Sequence, residues 1–84
     1  MSLKEDLSEM NPEATIFDGL DEAIIALADN GKGVIAVYDN DAMLKIFMDR
    51  DGMTLLDAQE YIDYNITRSL PYMGDYAPVI IFMT

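Results

Sequence analysis

The stretch from Gly31 to Gly52, GKGVIAVYDNDAMLKIFMDRDG, constrains this chain most. Within it Val34 to Tyr38 is a wholly apolar run that emerges from a glycine turn and passes through Asp39-Asn40-Asp41 into a helical pattern. A run apolar at every position, and not only at alternate ones, predicts a strand covered on each side. Such a strand is central in its sheet. Asp39, Asn40 or Asp41 caps the helix that follows, whose Met43, Ile46 and Phe47 mark a buried stripe and whose Asp51-Gly52 marks the end.

The rest of the chain reads as cover for that unit. Thr54-Leu55-Leu56-Asp57 has the form of a capping box and opens a helix with Leu55, Ala58, Ile62, Asn65 and Ile66 on one side, flanked by Tyr61 and Tyr64. Pro71, Gly74 and Pro78 enclose an aromatic loop with Tyr72, Asp75 and Tyr76, after which Val79 to Met83 reads as a second continuous apolar strand beside the first. Upstream, Leu20, Ala23, Ile24 and Leu27 recur at helical spacing, so a helix is expected from Asp18. Asp18 is its N-cap, Asp21 and Glu22 occupy the first turn where the helix dipole favours negative charge, and Asn30-Gly31 is its stop. Ala14 to Phe17 is a candidate edge strand.

Residues 1–13 carry Lys4, Glu5, Asp6, Glu9 and Glu13, and Pro12 interrupts any helix that Leu3, Leu7 and Met10 begin. They read as a flexible acidic arm, docked at most through Leu7 and Met10. Residues 14–84 then form a single two-layer α+β domain. Its small sheet has two or three strands, Val34–Tyr38 central and Val79–Met83 beside it, packed with about three helices.

Composition narrows the chemistry. At 84 residues the chain holds one domain, of a size at which oligomerisation often supplements a small core. With no cysteine and no histidine, it lacks disulfides, thiolate sites, the commonest general base and the commonest transition-metal ligand. Five basic residues against sixteen acidic ones give a net charge of -11, which opposes binding to phosphate backbones or to an anionic membrane. The N-terminus lacks the apolar core of a signal peptide, and no apolar run approaches the roughly 18 residues that span a bilayer. The expectation is a cytoplasmic protein with a protein partner, itself or a basic protein, no cofactor, no direct nucleic-acid contact and no membrane contact.

Four segments stand out as a set: Asp18 to Ile25, Val37-Tyr38-Asp39, Asp51 to Thr54, and Glu60 to Asn65. They resemble a group of small acidic proteins of phages and bacterial genomes, with an FDG-DEAII start, a YD turn, a DGM-[ST] step and an EY-to-N helix. The similarity covers roughly Phe17 to Ile81 and rests on short motifs, with no catalytic signature. Ala26 stands where that group has glycine, and Ser69-Leu70-Pro71 where a small-residue turn is usual. The group carries no assigned activity, so the resemblance implies a phage or bacterial cytoplasmic setting and no mechanism.

The residues that suggest chemistry also have structural roles. Asp39-Asn40-Asp41 at the end of a strand has the outline of the DxD motif of haloacid-dehalogenase-type phosphotransferases, where two carboxylates and Mg²⁺ act on phosphate. That family usually has Thr or Val at the position of Met43 and needs a far larger domain, so helix capping is the preferred reading. A calcium loop fails on register: with Gly52 at the sixth position, Phe47 falls first and Ala58 twelfth, where carboxylates are required. Gly31-Lys32-Gly33 lacks P-loop spacing, and Asn65-Ile66-Thr67 matches a glycosylation sequon only formally.

Two function classes remain. The first is a non-catalytic interaction or accessory protein, self-associating as a homodimer through the second strand or through a surface of Tyr61, Tyr64, Tyr72, Met73 and Tyr76. Seven methionines, among them Met43, Met48, Met53, Met73 and Met83, suit either an adaptable surface or core filling. The second is an acidic antagonist that imitates nucleic-acid charge, with Asp18, Asp21 and Glu22 on its acidic face. Residues 1–30 hold eight of the sixteen acids against one lysine. Caps, the helix dipole and solvent exposure explain those acids equally well, which favours the first class.

Overall fold

The computed structural model describes residues 2–82. Along the chain lie α1 (Leu3–Met10), β1 (Ile24–Asp29), β2 (Val34–Asp39), α2 (Asn40–Asp51), α3 (Leu55–Asn65) and β3 (Val79–Ile81), with short 3-10 turns at Asp21–Ala23, Thr67–Tyr72 and Gly74–Tyr76. The domain is α+β. Its sheet has the order β1-β2-β3, with β1 antiparallel and β3 parallel to the central β2. The strand beginning at Val79 ends at Ile81 with Phe82 beyond it, and the Met83 expected in it lies outside the described residues.

The centre of the chain forms as its residues dictate. The Asp39 side chain accepts the Asp41 amide hydrogen and caps α2, and Gly52 ends that helix at φ 70°, a left-handed backbone that glycine adopts without penalty. The Thr54 hydroxyl accepts the Asp57 amide hydrogen at 3.1 Å and starts α3. On α3 Ala58 and Ile62 are buried, with Ile66 just past its end, while Leu55 and Asn65 are exposed although the expected stripe includes them.

The N-terminal third departs from the sequence reading. No helix starts at Asp18: Asp21–Ala23 is one 3-10 turn, and Ile24–Asp29 is a strand hairpinned to β2. Asn30 is the reason. Its side-chain oxygen accepts the Lys32 and Gly33 amide hydrogens and its own amide bonds the Gly33 carbonyl, so Asn30-Gly31-Lys32-Gly33 closes a tight turn and does not cap a helix. Leu20, Ala23, Ile24 and Leu27 still reach the core, because the 3-10 turn and a bulge at Ile25 reproduce the spacing that a helix would give. Ala14 to Phe17 is no strand. It crosses to the core through Ile16 and Phe17, and the Phe17 amide donates to the Tyr38 hydroxyl at 2.8 Å.

The acidic N-terminal segment is likewise a helix. Ser2 caps α1 by accepting the Glu5 amide hydrogen, and Leu7 is 1% exposed against β1 and β2, while Met10 points to solvent. Pro12 falls after the helix, where it breaks nothing. Leu7, Met43, Leu44, Phe47, Ala58 and Ile62 from the three helices meet Ala36 and Tyr38 of β2 in one core. All the helices therefore lie on one face of the sheet.

Candidate interaction surface

Side chains along a strand alternate between faces. Val34, Ala36 and Tyr38 of β2 enter the core together with Ile24, Leu27 and Ile80 of the flanking strands. Ile35 and Val37 face the other way, and the register sets Ala28 beside Ile35, and Ala26 and Val79 beside Val37. Ile81 continues that side next to Asp39, whose carboxylate is engaged in the α2 cap at the rim. The bulge adds Ile25, 42% exposed, while Val79 is 43% exposed and Phe82, just past β3, is 62% exposed.

The outer face of the sheet is thus apolar where a half-solvated sheet normally carries polar residues. The central strand is covered on both sides at its middle, as its continuous apolar run predicts, with Ala36 0% and Ile35 3% exposed, and the outer side opens only toward the sheet edges, at Ile25 and Val79. Ile35, at the middle of the central strand, is buried but stands outside the main core cluster. The signal for this surface was present in the sequence as the all-apolar runs themselves.

The five late aromatic and methionine positions divide among separate neighbours. The Tyr61 ring lies 4.9 Å from Phe47 of α2, and Tyr64 lies under the Arg68 guanidinium at 5.1 Å. Tyr72 is 88% exposed, whereas Met73 is half-buried. Tyr76 packs on the hairpin, so close to Gly33 that a Cβ there would stand 2.8 Å from its ring. Lys32 pairs with Asp75 at 2.9 Å and the Asn30 amide donates to the Asp75 carbonyl, which ties the same turn to the hairpin. Tyr76 is therefore a packing residue, and only Tyr64 and Tyr72 offer largely free rings.

Asp18, Asp21 and Glu22 are all exposed, yet they sit on consecutive turns before β1 and not on a helix. Lys4 of α1 pairs with Asp21 at 3.2 Å, which offsets part of that charge. Asp21 and Glu22 also line an open cleft of about 610 Å³ against Lys45, Ile46, Asp49 and Arg50 of α2. Arg50 closes one end by donating to the Gly19 carbonyl at 3.1 Å while its guanidinium lies over the Phe47 ring.

Among the described residues Asn40 is the one buried polar residue, 2% exposed. Its amide donates to Gln59, whose own amide donates to the Asp63 carboxylate, both at 3.0 Å. A carboxylate only accepts, so this chain has a fixed direction and leaves the Asn40 oxygen without a partner. Among the described residues no group of three or more Asp and Glu is arranged to hold a metal ion, and no helix is long and apolar enough to cross a membrane. No family model, curated protein or solved structure matches the chain.

Proposed function

We propose that this protein is a small non-catalytic interaction module that binds a protein partner through the open face of its sheet. One observation carries the reading: Ile25, Val79 and Phe82, 42%, 43% and 62% exposed, leave apolar surface at the sheet's outer margin beside the half-buried Val37 and Ile81. Burying apolar area stabilises association by roughly 25 cal/mol per Å², so such a surface favours occupancy. Asp39 and Asp41 serve α2 in this reading, since the Asp39 side chain is committed to its cap.

The acidic-antagonist reading draws on the exposed carboxylates of Asp18, Asp21 and Glu22 and on the net charge of -11. The two readings separate in one capture experiment at low and high salt with wild type, Val79→Lys and the pair Asp21→Asn/Glu22→Gln. Apolar binding is lost with Val79→Lys and survives high salt and the neutralised pair. A partner lost with salt and with the neutralised pair, but kept by Val79→Lys, overturns the sheet-face reading in favour of charge mimicry.

A further inference from the structure

We propose that the turn between β1 and β2 is a self-modification site, at which Asn30 becomes aspartate or isoaspartate by attack of the Gly31 backbone nitrogen on the Asn30 side chain. Asn30 is the one asparagine of the chain that is followed by glycine. Glycine has no Cβ to crowd the cyclic imide that such an attack forms. The space beside Gly31 is open, since a Cβ built there would meet nothing within 4 Å. Asp29, Asn30, Gly31 and Lys32 are all exposed, so water reaches the site.

The groups around this bond stand where the reaction needs them. The Asp29 carboxylate accepts the Gly31 amide hydrogen at 2.8 Å, within reach of the proton that must leave the attacking nitrogen. The Asn30 side-chain oxygen accepts the Lys32 and Gly33 amide hydrogens at 2.9 and 3.1 Å. That oxygen carries the negative charge of the tetrahedral intermediate, and backbone donors at these distances form an oxyanion hole for it. The side-chain nitrogen donates to the Asp75 carbonyl at 2.8 Å, which fixes the plane of the amide. The turn thus holds a base, an electrophile and its oxyanion donors together.

Water is the only other reactant. The Gly31 nitrogen bonds to the side-chain carbonyl carbon of Asn30, its proton passes by way of Asp29 to the amide nitrogen, and that nitrogen leaves as ammonia. Water then opens the imide at either carbonyl, which gives aspartate or the isoaspartyl linkage. Either product adds a carboxylate to a chain of net charge -11 and removes the donor to the Asp75 carbonyl. The isoaspartyl form also lengthens the backbone inside the tight turn. Conversion is therefore a one-way loosening of the tie between the hairpin and the Asp75 turn, with Lys32–Asp75 left to hold it.

Peptide mapping that resolves the two products follows conversion at neutral pH in folded wild type, in urea-unfolded wild type and in Asp29→Asn. That variant keeps an acceptor for the Gly31 amide and removes the base. Folded wild type is expected to convert about a hundredfold faster than Asp29→Asn, the low end for a positioned base, and faster than the unfolded chain. Ammonia is released in equal amount. Far-UV circular dichroism checks that Asp29→Asn is folded, and if it is not, folded against unfolded wild type decides alone. Slower conversion in folded than in unfolded wild type shows that the turn protects Asn30 and overturns the proposal. An unchanged rate in folded Asp29→Asn overturns it as well.

Discussion

Tyr38 is fully buried, its ring 4.8 Å from that of Phe17 and its hydroxyl accepting the Phe17 amide hydrogen. Replacing it with phenylalanine keeps the ring and orphans that amide, which costs about 1–3 kcal/mol and lowers the urea midpoint accordingly. Burial also raises the phenol above its ordinary 10.0. The unfolded chain then ionises first, so this contribution is whole below the unfolded value and is lost as pH rises through the folded one. The alkaline fall in stability is expected to be shallower in Tyr38→Phe than in wild type, as read from urea titrations at successive pH values. The apolar run around Tyr38 announces its burial, but the Phe17 amide was not legible, because a bond between residues so far apart in sequence depends on where the connecting segment crosses.

At the scale of elements, α2 and α3 were legible and the first hairpin was not. Asp39, Gly52 and Thr54 have local roles that a short window contains: two caps and a left-handed stop. Ile24–Asp29 is decided by pairing with Val34–Asp39, a tertiary preference that overrides the helical spacing of its apolar residues. The periodicity found the residues that reach the core and assigned them the wrong backbone. The same limit hid α1, whose eight residues would be marginal alone and are held by Leu7 against the sheet. Leu7→Ala is expected to cost about 2–5 kcal/mol in chemical denaturation, the range for a buried leucine. An exposed arm would give a loss near zero.

The whole molecule combines a one-sided layer of helices with a surface rich in carboxylates. The three ion pairs among the described residues, Lys4–Asp21, Lys32–Asp75 and Arg50–Asp51, are solvent-exposed and contribute little to stability. The core and the elements that build it are therefore what hold the chain together, and Ile25, Val79 and Phe82 are exposed apolar residues at the margin of the sheet. The late tyrosines drew attention as a cluster because they lie close in sequence, but Tyr61, Tyr64 and Tyr76 pack against different neighbours. The sheet surface that the fold assembles comes instead from the β1–β2 hairpin and from β3, which is remote from it in the chain. Amide chemical shifts recorded by NMR over a dilution series and on addition of a captured partner test that account most directly. Shifts confined to Ile25, Val37, Val79 and Ile81 are the predicted result. Shifts centred on Tyr64 and Tyr72, or on Asp18 to Glu22, with the sheet face unchanged, would contradict it.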